Sequence, residues 1–80
     1  MSQFRVGVEC RFAVDGTVEV RRVYLDNRWT AVDQGRQWVD PAGRHVLVML
    51  AESKAQELLL RSDTLTWEIH PVGGRQVQVV

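Results

Sequence analysis

Strict alternation near the N-terminus is the feature that most constrains the fold. Apolar residues occupy every second position of this stretch: Phe4, Val6, Val8, Cys10, Phe12 and Val14. A period of two places successive side chains on opposite faces of a strand, whereas a helix needs a period near 3.6 residues. The pattern therefore predicts a strand from Phe4 to Val14, with these six side chains in the core.

Turn-forming residues then recur at spacings typical of short strands. Asp15-Gly16 suits a tight hairpin turn, Asp26-Asn27 a second turn and Pro41-Ala42-Gly43 a third. The apolar parity changes across Arg21-Arg22, which predicts a β-bulge or a sharp bend there. With Asp33-Gln34-Gly35 as a further break, we expect strands over Thr17 to Leu25, Trp29 to Val32, Gln37 to Asp40 and Arg44 to Ala51.

The C-terminal part contains the one segment in which a helix competes with a strand. Good helix formers favour one helical turn from Glu52 to Gln56, followed by a strand from Glu57 to Arg61. After a turn at Ser62-Asp63, alternation of Leu65, Trp67 and Ile69 predicts another half-buried strand. A last strand is expected from Arg75 to Val80.

Length and composition then set the class of fold. Eighty residues suffice for one domain with one core, and a hydrophobic fraction of 45% excludes disorder. Valine, the commonest apolar residue, favours sheets. We therefore expect residues 1–80 to form a single all-β domain. Its architecture would be a small antiparallel β-barrel or roll, SH3-like, with six or seven short strands and at most one short helix.

Charge and segment composition limit the partners. Ten basic and ten acidic residues give zero net charge, which argues against a strongly electrostatic partner such as duplex DNA. Every basic residue except Lys54 is Arg, a bias that either phosphate recognition or a GC-rich genome produces. No segment resembles a signal peptide or reaches the length of a membrane span. We expect a cytoplasmic protein without membrane contact.

Residues with catalytic or metal-binding chemistry are few. Cys10 is the only cysteine, so no intramolecular disulfide forms, and its core parity makes it a small buried hydrophobe. His45 and His70 lack the spacing of a metal motif, and each is expected to be a surface or hydrogen-bonded structural histidine. No nucleophile elbow or phosphate-binding loop occurs. The sequence thus predicts no enzyme activity, no metal and no cofactor.

The tryptophans separate into two groups. Trp67 has core parity, whereas Trp29 and Trp38 lie in short polar stretches with an Arg shortly before each. Aromatic rings beside Arg suit single-stranded nucleic acid, because bases stack and phosphates pair with guanidinium groups. In the alternative interpretation, the two rings close the ends of a barrel. The candidate nucleic-acid-binding residues are Trp29, Trp38, Arg21, Arg22, Arg28, Arg36 and Arg44.

An excess of apolar residues in so small a chain gives the leading functional hypothesis. Val46 to Leu50 is apolar on both faces, and Gln76 to Val80 could pair as an edge strand. Both features favour a non-enzymatic protein-interaction module, whose partner is another protein or a second copy in a homodimer. Binding of single-stranded nucleic acid through the Trp and Arg residues is the alternative.

A recurring Arg and Trp pattern covers about two thirds of the chain, from Val18 to Ile69. It consists of Val-Arg-Arg-Val, Arg-Trp, Arg-Gln-Trp, Gly-Arg-His-Val-Leu-Val, Glu-Leu and Trp-Glu-Ile. This pattern resembles a bacterial family of small β domains that occur alone or appended to error-prone (Y-family) DNA polymerases. The resemblance implies a DNA-metabolism context and assigns no activity and no site residues.

Overall fold

The computed structural model describes residues 4–50 and 54–72, which form an all-β fold of seven antiparallel strands in two sheets. The strands are β1 (Gly7–Phe12), β2 (Val18–Leu25), β3 (Arg28–Ala31), β4 (Asp33–Asp40), β5 (Gly43–Leu50), β6 (Lys54–Arg61) and β7 (Trp67–Pro71). One sheet has the order β1-β2-β3 and the other β4-β5-β6-β7. The predicted fold class and strand number are confirmed, and no closed barrel is found within these ranges. None of these residues forms a helix able to cross a bilayer.

The two sheets share one aliphatic core. Its buried residues come from β2, β5 and β6: Val18, Val20, Val23, Val46, Val48 and Leu58. From β1 and the residue before it, Val6, Val8 and Cys10 pack against this core as their parity predicts. Phe4, Phe12 and Val14 are exposed, so their assignment to the core is wrong. The strand is shorter than its pattern, because Ala13 already closes the turn by hydrogen bonding to Thr17.

The first hairpin confirms both the predicted turn and the predicted bulge. Gly16 has a φ of +93°, which L side chains rarely adopt. Glu9 pairs with Arg22, but its neighbour Cys10 pairs with Val20, so Arg21 is the extra residue of a β-bulge. The bulge changes the parity of β2 and thereby keeps both halves of the strand facing the core.

The second turn is also confirmed, but the strand after it differs from expectation. Asp26 and Asn27 both have positive φ, 51° and 67°, as a two-residue hairpin turn requires. Asp33-Gln34-Gly35 was expected to separate two strands, and this is wrong. Asp33 pairs with Met49 and Gln34 with Val48, so β4 begins at Asp33. Only its pairing register is irregular, between Gln34 and Gln37.

Strand pairing overrides local propensity in the C-terminal part. The expected helical turn is wrong for residues 54–56, which belong to β6, because Ala55 pairs with Met49 and Gln56 with Val48. Leu65 is exposed and has a φ of +59°, so it is a turn residue before β7 rather than part of the core. Trp67 and Ile69 pack against the core as predicted. Residues 52–53 and the expected strand 75–80 lie outside the described residues.

The sheets are joined differently along their two sides. On one side the backbone pairs directly, since Val6 donates to the Trp67 carbonyl at 3.1 Å and Ile69 to that of Phe4 at 2.8 Å. On the other side the Gln34 and Gln37 amides serve as the pairing partner of β2. Gln34 accepts from the Val20 N–H at 2.7 Å, and Gln37 accepts from the Val18 N–H at 3.0 Å. Both amides also donate to the Val18 carbonyl. Buried backbone groups of β2 are thereby satisfied without a neighbouring strand.

Candidate functional site

Residues of β5 alternate between the two faces of the four-stranded sheet. Val46 and Val48 are buried in the core, so Leu47 and Met49 lie on the outer face. Met49 is 41% exposed. β5 pairs with β4 on one side and with β6 on the other, so it is a central strand, and Val46 to Leu50 is apolar on both faces as the sequence predicts.

A groove of about 400 Å³ lies around these two residues, and we call it the outer groove. Its lining comes from β4, β5, β6 and the residue after β7: Asp33, Gln34, Gly35, Leu47, Val48, Met49, Ala55 and Val72. Gly35 contributes no side chain, and a Cβ at this position would lie 3.5 Å from Leu47. Ala55, which pairs with Met49, has only a short side chain. The groove is therefore apolar along its floor, and among its described lining residues Asp33, at the β4 end, supplies the one carboxylate.

A histidine cluster lies on the same outer face. His45 Nε2 is 2.8 Å from Asp40, and its Nδ1 is hydrogen bonded to Glu57. Burial disfavours the imidazolium, but the two carboxylates outweigh it and raise the pKa of His45 above its usual value. The hydrogen bond from His45 in turn lowers the pKa of Asp40. His45 is thus the hydrogen-bonded structural histidine that the sequence predicts.

Trp38 is part of this cluster. Its ring stacks on His45, with centroids 5.0 Å apart and an interplanar angle of 2°. The Arg36 guanidinium lies 5.0 Å from the Trp38 ring centroid. Trp38 is also half-buried. Its ring therefore offers less surface for stacking of a base than expected for a tryptophan in a polar stretch of sequence.

Trp29 lies on the outer face of the three-stranded sheet. It contacts Tyr24 edge to face at 5.2 Å, and the Arg22 guanidinium lies 5.8 Å from its ring centroid. Trp29 remains 46% exposed. Arg22 is already bound to Glu9 at 2.5 Å, and this hydrogen bond lowers the pKa of Glu9. The exposed ring is available to a ligand, but its neighbouring guanidinium is partly neutralised.

The structure does not bring the seven candidate nucleic-acid residues together. Arg22 lies with Trp29 and Arg36 with Trp38, on the outer faces of different sheets. The others are separate: Arg21 is 4.0 Å from Glu19, Arg28 is exposed at the start of β3, and Arg44 donates to Gln37. Each tryptophan would therefore have to act with its own arginine.

Sequence reasoning missed Asp33, Ala55 and Val72 as neighbours of Leu47 and Met49. The alternation of side chains along β5 was the available signal that its outer face is apolar. Which residues of other strands lie beside that face follows only from the pairing register.

Across residues 4–50 and 54–72, no three His, Cys, Asp or Glu side chains form a group that could hold a metal ion. Cys10 is half-buried, and burial raises the pKa of its thiol.

Comparison with known proteins gives no matching family, no similar curated protein and no similar solved structure. The resemblance to the polymerase-associated β domains therefore stays a prediction.

Proposed function

We propose that this protein is a non-enzymatic protein-interaction module that binds its partner through the outer groove. The observation that carries this proposal is the apolar outer face of β5, where Leu47 and Met49 stay accessible beside Ala55 and Val72. Accessible apolar concavities of this kind mark binding sites, because filling them removes apolar surface from water. Methionine suits such a surface, since its flexible side chain adapts to different shapes.

The distribution of charge favours a protein over a nucleic acid. On the three-stranded sheet Arg11 is bound to Glu19 at 3.2 Å and Arg22 to Glu9. The glutamate beside each of these arginines offsets its charge, so the pair attracts a phosphate less strongly than a free arginine would. The net charge of zero agrees with this preference.

Photo-crosslinking tests the groove directly. A benzophenone amino acid replaces Met49, and in a matched control it replaces Leu65, an exposed residue of the turn before β7. Both variants are irradiated in cells that naturally produce the protein. We expect discrete intermolecular protein adducts from position 49 and none of them from position 65. An adduct of twice the 9.2 kDa chain mass would identify a homodimer. Identical adduct patterns, or none from position 49, would contradict the proposal.

Binding of single-stranded nucleic acid at Trp29 is the second candidate, favoured by the exposure of that ring beside Arg22. Titration with a mixed-sequence oligonucleotide, followed by tryptophan fluorescence, distinguishes it. Saturable quenching that weakens with salt and disappears in Trp29→Ala would support this candidate. We expect no saturable quenching, because the nearby arginine is engaged with Glu9.

A further inference from the structure

We propose that the outer groove accepts a short extended peptide segment that carries one basic residue at one end of a run of alternating apolar residues, with the basic side chain paired to Asp33. This inference rests on the proposed function and specifies the chemistry of the partner. Three observations support it: the lining residues cross the sheet from β4 to Val72, Gly35 and Ala55 leave space beside Leu47 and Met49, and the Asp33 carboxylate lies at the β4 end.

The dimensions of the groove suit an extended chain. Its lining runs from Asp33 on β4, across β5, to Ala55 on β6 and Val72 after β7. Three strand spacings of about 4.8 Å amount to about 14 Å, which an extended chain spans with roughly four residues. Alternate side chains of such a chain point the same way, about 7 Å apart. Two of them can therefore contact the floor at Met49 and beside Ala55.

The state of the carboxylates on this sheet indicates the charge of the partner. Asp40 and Glu57 bind His45, and Glu68 lies 3.0 Å from His70 and 3.8 Å from Arg61. Asp33 is exposed and, alone among the carboxylates in the four strands of this sheet, has no ion pair within the described residues. Among the described residues that line the groove, it is also the only one with a charged side chain. A cationic side chain is its natural complement.

Two synthetic probe peptides test this charge preference, acetyl-Gly-Arg-Val-Gln-Val-Gly-amide and the same peptide with Glu in place of Arg. Each is titrated into the ¹⁵N-labelled full chain and followed by amide chemical shifts. We expect the Arg peptide to shift the amides of Leu47, Met49 and Ala55. We expect the Glu peptide to bind about threefold to tenfold more weakly, as an exposed charge contact permits. In Asp33→Asn the two peptides should bind alike.

Further variants separate failure of this inference from failure of the proposed function. Leu47→Asn should remove binding of both peptides, and Met49→Gln provides a second test should Leu47→Asn lose its dispersed spectrum. Equal binding of the two peptides to the wild-type chain overturns the charge preference but leaves the groove as a binding site. Absence of binding overturns the peptide inference, whereas intermolecular photo-adducts at position 49 would still support the proposed function. Shifts centred on Trp29, or photo-adducts within one chain only, contradict both.

Discussion

The outer faces of the two sheets differ in how far their side chains satisfy one another. On the three-stranded sheet, Glu9 and Arg22 form one ion pair, Arg11 and Glu19 another. On the four-stranded sheet, Leu47 and Met49 face outward, and Asp33 has no ion pair within the described residues. The first face is charged and internally paired, while the second retains apolar area and a carboxylate that a ligand can use.

This difference shows why exposure alone does not identify a site. Trp29 is slightly more exposed than Met49, at 46% against 41%, yet its neighbours Tyr24 and Arg22 already contact it. Met49 instead borders an open groove. A residue beside open space and a charged group without an ion pair is the better candidate for binding. A ligand there gains contacts without displacing existing ones.

The largest effect is expected from glycine substitutions that compare the two sheets. Gly43 begins β5 with a φ of +145°, and a Cβ there would overlap the Leu60 carbonyl oxygen on β6. Gly43→Ala should therefore lower the free energy of unfolding by about 3 kcal/mol or more. Gly16, in the hairpin of the other sheet, has a φ of +93° but only the flexible end of Arg44 nearby, at 3.9 Å. Gly16→Ala should cost about 1–2 kcal/mol.

Urea unfolding of both glycine variants measures this contrast. The two positions share an unfavourable φ, so the difference between them isolates the backbone overlap on β6. Equal losses of stability would show that the turn into β5 can rearrange, and the expected overlap with Leu60 would then be wrong.

A second, smaller effect concerns pH and is expected from the four-stranded sheet. The folded state raises the pKa of His45, whose unfolded value is about 6.5. A raised pKa stabilises the fold fully below about pH 6.5, and this stabilisation is lost as pH rises through the folded-state pKa. The lowered pKa of Asp40 acts at the acid end, where its contribution is lost as pH falls through the folded-state value. The urea midpoint should therefore decrease between pH 6 and pH 8.

The His45→Gln variant provides the control for this pH dependence. It retains a polar side chain beside Asp40 and Glu57 but cannot titrate, so its urea midpoint should change less between pH 6 and pH 8. Measurements stay below pH 8 because burial also raises the pKa of the Cys10 thiol, which adds a separate dependence in alkaline solution. A wild-type urea midpoint that rises between pH 6 and pH 8 would contradict the claim that folding raises the pKa of His45.

The smallest effect is expected from the ion pairs of the three-stranded sheet. The side chains of Arg22 and Glu9 are 49% and 44% exposed, so water and salt screen their attraction. Arg22→Gln should shift the urea midpoint less than Gly16→Ala does. In 1 M NaCl the midpoints of Arg22→Gln and the wild type should lie still closer together. A larger decrease in the urea midpoint would mean that Arg22 stabilises the position of Trp29 in the fold. The outer face of the three-stranded sheet would then not be merely a solvated surface.

The sequence alone determined the features that depend on neighbouring residues. Alternation placed Val8 and Cys10 against the core, the change of parity located the bulge across Arg21-Arg22, and Asp26-Asn27 specified a turn. Each of these follows from local backbone geometry, which a few successive residues dictate. The class of fold follows from the same signals repeated along the chain.

Only the tertiary structure decided where strands begin and which residues share a surface. Residues 54–56 are good helix formers in isolation, yet pairing with β5 makes them part of a strand. Asp33 and Ala55 border one groove, although neither predicts the other in sequence. Pairing register and sheet packing are sums of many weak contacts between distant residues, and those contacts outweigh local propensity once the chain is compact.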